Sequence, residues 1–131
     1  MSVSIATSVR NQMIQQIQLA IDAGLSAGCL QLYGGVRPSA GAESPFLLVT
    51  LICSDPCASL AVDGELTFNA LSQGVATATG QATWGRFIDS SGNFIIDCSV
   101  NDREIVLNGN PLILEGQTVR VDMIHIGMSP Y

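Results

Sequence analysis

The stretch Gly80-Gln81-Ala82-Thr83-Trp84-Gly85-Arg86-Phe87-Ile88-Asp89-Ser90-Ser91-Gly92-Asn93-Phe94-Ile95-Ile96-Asp97-Cys98-Ser99-Val100 decides the fold. Residues 80–89 and 93–100 read as strands, and the glycine of Ser90-Ser91-Gly92 between them supplies the positive φ of a tight hairpin. The same grammar extends in both directions. Residues 29–34 form a short strand, 35–45 a Pro/Gly/Ser/Ala loop, and 46–53 a run apolar enough to be buried on both faces. Asp55-Pro56 marks a turn, and 65–69 and 74–79 are weaker strands. Residues 104–107, 111–114 and 117–127 complete the series, with turns at Asn108-Gly109-Asn110-Pro111 and Glu115-Gly116. In the last strand Val119, Val121 and Met123 alternate, after which Ile124, Ile126 and Met128 take the opposite phase. That switch calls either for a bulge or for cover on both faces.

One segment has helical periodicity. Over residues 6–23, Val9, Met13, Ile17 and Ile21 recur every fourth position and Ile14 and Ala20 widen the stripe, while Arg10, Asn11, Gln15, Gln16, Gln18 and Asp22 fill the other side. Thr7 or Ser8 is placed to cap its start, and Gly24 to end it as a left-handed residue. A single helix excludes a parallel sheet with helical crossovers. Short strands at intervals of about 8–12 residues favour a sandwich or barrel. The expected fold is mainly β, an antiparallel β-sandwich, jelly-roll-like in its fullest form, with one N-terminal amphipathic α-helix. We expect a single domain over residues 1–131, with an arm and helix in 1–24 and the sandwich in 29–131.

The 131 residues are 47% hydrophobic but only 12% charged, about half the roughly 25% charge of an ordinary soluble domain. Surface scaling predicts about 6,600 Å² of accessible area, so the charged residues are spread at about one per 400 Å². A surface so thinly charged is expected to be covered by neighbours. Lysine is absent, and five arginines stand against eleven acids for a net charge of −6. An acidic chain with isolated arginines cannot neutralise several phosphates at once, which argues against nucleic acid and against an anionic membrane surface. No apolar run approaches the roughly 20 residues of a membrane span. The start, Met1 to Thr7, lacks the basic region of a signal peptide, so folding in a cytosol with reduced thiols is expected.

Residue types that carry chemistry are present without their usual context. Gly24-Leu25-Ser26-Ala27-Gly28 fits the G-x-S-x-G pattern of a serine nucleophile, but it leaves a helix and enters a strand, the reverse of a nucleophile elbow. His125, the base such a serine would need, sits between Ile124 and Ile126, where a structural role is expected. Cys53-x-x-x-Cys57 offers two corners of a zinc site, with Cys29, Cys98 and His125 remote; buried apolar thiols are the expected reading, with no metal and no cofactor. Asp89, Asp97, Asp102 and Glu104 cluster in sequence as a glycosidase-like pair would require, yet Asp89 belongs to the hairpin turn and Asp102 and Glu104 to a solvated loop. Trp84 is read as a core anchor; exposed beside Tyr33, it would instead stack on sugar rings as in a carbohydrate-binding module.

Several runs together resemble one family. They are Arg10-Asn11 through Ile21-Asp22-Ala23-Gly24, Leu30-Gln31-Leu32-Tyr33-Gly34-Gly35, Ser54-Asp55-Pro56, Gly64-Glu65-Leu66-Thr67-Phe68-Asn69, the stretch 79–92, and Gly116-Gln117-Thr118-Val119. This set, spread over nearly the whole chain, resembles small virion proteins of tailed bacteriophages and prophages. The resemblance implies a non-enzymatic capsid decoration or cement protein, bound to the major capsid protein as a homo-oligomer, dimer or trimer, in particles assembled in the host cytoplasm. A tail or head–tail connector component is the alternative within the same particles. The apolar character of both chain ends places the expected protein interface at Val3, Ile5, Ile126, Met128 and Tyr131.

Overall fold

The computed structural model describes residues 4–100 and 104–127. It is mainly β, with one helix followed by eleven short strands, and all the named strand pairings are antiparallel. The helix is α1 (Thr7–Ile21). The strands are β1 (Cys29–Tyr33), β2 (Leu47–Ile52), β3 (Glu65–Thr67), β4 (Gly74–Val75), β5 (Gly80–Gln81), β6 (Trp84–Ile88), β7 (Phe94–Ser99), β8 (Ile105–Leu107), β9 (Leu112–Ile113), β10 (Thr118–Val119) and β11 (Val121–Gly127). A four-stranded sheet has the order β2-β1-β6-β7 and a three-stranded sheet the order β3-β11-β8; β10-β4 and β5-β9 are small pairs.

The expected hairpin is β6–β7. Gly92 takes φ 86°, and Asp89 accepts hydrogen bonds from the backbone N–H groups of Ser91 and Asn93, both at 2.9 Å. Register then fixes which side chains share a face. Leu30 lies opposite Leu51 and Phe87, and Leu32 opposite Val49 and Gly85, so these residues form one side of the large sheet. That side meets Leu66, Ile105, Ile124 and Ile126 of the smaller sheet in one core, with the Phe68 and Phe87 rings stacked at 4.7 Å. Two sheets facing across a shared apolar layer give the sandwich.

Two local expectations change, and one choice between alternatives is settled. The run at residues 46–53 is buried on both faces only at its start, where Leu48 and Val49 are both inside; beyond them Leu51 points inward while Thr50 is exposed and Ile52 is 54% exposed. The phase switch in the last strand is a bulge, a register shift between Val121 and Met123 that returns Ile124 and Ile126 to the core. The helix has Ala6 as its N-cap, with no side-chain cap, and Gly24 does not take a positive φ. Gly24 and Gly28 instead permit close approach. A Cβ on Gly28 would lie 2.6 Å from the Ile88 carbonyl oxygen, and one on Gly24 would overlap Ser90.

The helix is also rotated from its expected seat. Ile14 and Ile21 are buried and Ile17 is partly buried, but Val9 and Met13 are 44% and 45% exposed. The polar row displaces them. The Asn11 side-chain oxygen accepts from Gly64 N–H at 2.6 Å, that of Gln15 from Ala61 N–H at 2.7 Å, and the Asp22 carboxylate from Cys57 N–H at 3.1 Å. Three residues on one side of a helix thus satisfy the backbone donors of the irregular segment 57–64, which has few strand partners of its own.

Candidate interaction site

The second side of the large sheet is covered by chain rather than by a sheet. Between β1 and β2, residues 34–46 run as a strap across this side as far as β7, where Gly41 lies against the Phe94 ring. Beneath it, Tyr33 and Trp84, paired in register, stack with ring centroids 4.3 Å apart and planes 9° from parallel. They are 6% and 1% exposed. Trp84 is therefore buried as expected, but in a layer of its own outside the main core. Neither ring presents a free face for a sugar, which removes the basis for the carbohydrate reading. The Trp84 indole N–H is buried without a hydrogen-bond partner among the described residues.

Arg86 and Asp97, opposite each other on β6 and β7, extend this layer. The guanidinium donates twice to the carboxylate, through Nε at 2.7 Å and Nη2 at 3.2 Å, and both side chains are less than a tenth exposed. The arginine also lies 5.1 Å from the centre of the Trp84 ring and 5.3 Å from that of Phe94. Its hydrogen bonds to Asp97 hold it charged, raising its pKa against the opposing effect of burial. Asp97 is thus fully engaged in structure and is not free as a catalytic acid or base.

Where the strap meets β7, a cleft of about 260 Å³ is lined by Arg37, Pro38, Ala40, Phe94, Ile95, Ile96 and Asp97. Small-molecule sites usually measure about 300–1,000 Å³, so this one suits a side chain or two. Arg37 is exposed on its rim, with no hydrogen bond or ion pair to any described residue.

The residues singled out in the sequence are dispersed. Ile5 is half-buried and Ile126 is 6% exposed, so Ile126 belongs to the core rather than to a free surface; its inward phase after the bulge is the reason. Val3, Met128 and Tyr131 lie outside the described residues, as does Asp102. Ser26 is exposed in the connection from α1 to β1. His125 Nδ1 lies 3.2 Å from a Glu65 carboxylate oxygen on the neighbouring strand. Cys53, Cys57 and Cys98 are buried and Cys29 is half-buried, all as free thiols. No group of three or more potential metal ligands gathers among the described residues.

The strap-side layer and its cleft were not found by reading sequence. The register of Gly80–Val100 against 29–33 would have been the signal, because it places Tyr33, Trp84, Arg86 and Asp97 side by side. No helix among the described residues is long and apolar enough to cross a membrane. Comparisons with protein families, curated proteins and solved structures find no match.

Proposed function

We propose that this protein is a non-enzymatic structural component of a bacteriophage virion that decorates and cements the head shell through repeated contacts with the major capsid protein. The observation that carries the reading is the apolar surface. Among the described residues, fifteen large hydrophobic side chains are more than a third exposed, including Leu25, Val36 and Leu60 at 107%, 92% and 81%. With only sixteen charged residues, the chain covers itself largely with uncharged polar and apolar groups. Burying a standard interface of about 1,600 Å², somewhat more than half apolar, yields about 20 kcal/mol before the costs of association. Icosahedral repetition multiplies even a modest surplus. The family resemblance in residues 10–24, 30–35 and 79–92 supports the same role.

The test is a quantified gel of purified virions from a phage encoding this chain. Decoration requires hundreds of copies per particle, whereas a connector requires about a dozen. Particles assembled without the protein are expected to rupture at lower temperature or milder osmotic shock. Unchanged rupture, or absence of the chain from virions, would refute the role.

A further inference from the structure

We propose that the strap between β1 and β2 is a lid: its residues 36–45 lift from the large sheet as a unit while the sandwich stays folded, and bare the Tyr33–Trp84 ring pair beneath. The strap is tied down only at its root. Gly34 N–H donates to the Phe46 carbonyl oxygen at 3.0 Å, and the Thr83 hydroxyl to that of Gly35 at 2.6 Å. Among the described residues, the hydrogen bonds of 36–45 stay within the strap and its root, from Ala42 N–H to the Ser39 carbonyl oxygen at 2.9 Å and from Phe46 N–H to the Ser44 hydroxyl at 3.4 Å. None reaches the sheet below. Residues 72–77, beside β2, are the contrast: Thr77 and Ser72 N–H donate to the Leu48 and Ile52 carbonyl oxygens at 2.8 and 2.9 Å and close that edge.

Side chains anchor the strap no better. No residue from 35 to 46 is buried, and Val36, the one large aliphatic side chain in 36–45, points almost wholly into solvent. The cleft of about 260 Å³ stays open between Arg37, Pro38 and Ala40 above and residues 94–97 below, and such a gap forfeits the contacts that would hold a roof down. The layer beneath also favours opening. The buried indole N–H of Trp84 has no partner among the described residues, which raises the energy of the closed form, and water meets that donor once the strap lifts. Lifting wets an apolar face of the ring pair as well, and this keeps the closed form dominant. Few hydrogen bonds to the rest of the molecule and no buried anchor define a unit that opens well below the energy of global unfolding. Gly35, at φ 75°, stands at one hinge. Raised, the strap leaves a flat two-ring surface with a free N–H donor and Arg86 alongside. The opening does not depend on the virion role.

Native-state hydrogen exchange followed by NMR tests the lid. Trp84 is the sole tryptophan, so its indole N–H signal is unambiguous. The amide of fully buried Leu32 in β1 reports on the sandwich. The indole N–H should be protected about a hundredfold less than Leu32. Its exchange should barely respond to urea below the unfolding transition, whereas that of Leu32 rises steeply. Ile124→Val, in the core on the other side of the sheet, should lower Leu32 protection about fivefold and leave the indole unchanged, because the closed and open forms share that core. Pro38→Gly, which loosens the strap itself, should lower indole protection about fivefold. Equal protection of the two groups, a common urea slope, or indole protection that falls with Ile124→Val would each overturn the lid. So would an indole N–H indifferent to Pro38→Gly, or one with no protection at all.

Discussion

Cys53, Cys57 and Cys98 are 4%, 0% and 1% exposed, and burial keeps their thiols protonated. It pushes Cys53 and Cys98 up to about 12, and Cys57 higher still, with the nearby Asp22 charge adding to the effect. An unfolded thiol ionises near pH 8.5. Above that pH the unfolded chain releases protons that the folded chain retains, so stability is full below about pH 8.5 and falls as pH rises toward 12. Each thiol removes up to about 1.4 kcal/mol per pH unit across that window. Urea unfolding at pH 7, 9 and 10 should show the decline, and Cys98→Ser or Cys53→Ala should flatten it. In native protein at pH 8, these three thiols should resist alkylation, with Cys29 the first to react. That Cys53 and Cys98 are buried hydrophobes was legible from their apolar neighbours, whereas Cys57, outside the apolar strand-like segments, carries no such signal. The pairing of Arg86 with Asp97 was not legible, because opposite charges on separate strands meet only once register is known.

The helix shows where periodicity stops being informative. Its existence and extent were legible from Val9, Met13, Ile17 and Ile21, and the described helix differs by a residue or two at each end. Its rotation was not, because a hydrophobic stripe ranks only the side chains and says nothing of backbone donors elsewhere. The segment 57–64 needed acceptors, and Asn11, Gln15 and Asp22 provide them. Asp22→Ala should therefore destabilise the fold by about 1–3 kcal/mol, since it strands the N–H of fully buried Cys57. Met13→Gln, on the exposed side, should cost less than about 0.5 kcal/mol. Chemical denaturation of the two variants checks both, and equal costs would mean that the helix sits on its apolar stripe after all. The same logic explains the strap. Its composition read as a loop, and only the flat pair of Tyr33 and Trp84 beneath it shows that it roofs a second apolar layer.

At the scale of the molecule, β-sandwich character followed from many short strands, turn residues and a single helix, and low charge foretold a surface rich in exposed apolar groups. Val3, Ile5, Ile126, Met128 and Tyr131 lie towards the apolar ends of the chain, but among the described residues exposure does not follow sequence position: Leu25, Val36 and Leu60 in the connections stand out furthest. The purified protein should self-associate as its concentration rises, more so in sulfate, because apolar contacts strengthen where ionic ones are screened. Leu60→Glu and Val36→Glu should each reduce the association seen by light scattering without lowering the unfolding midpoint. A concentration-independent monomer would deny these side chains any role in assembly. The β2 flank of the large sheet carries one more implication. With the β2 flank closed by residues 72–77 of its own chain, two copies of this sheet cannot join edge to edge on that side, which removes one route to end-on growth.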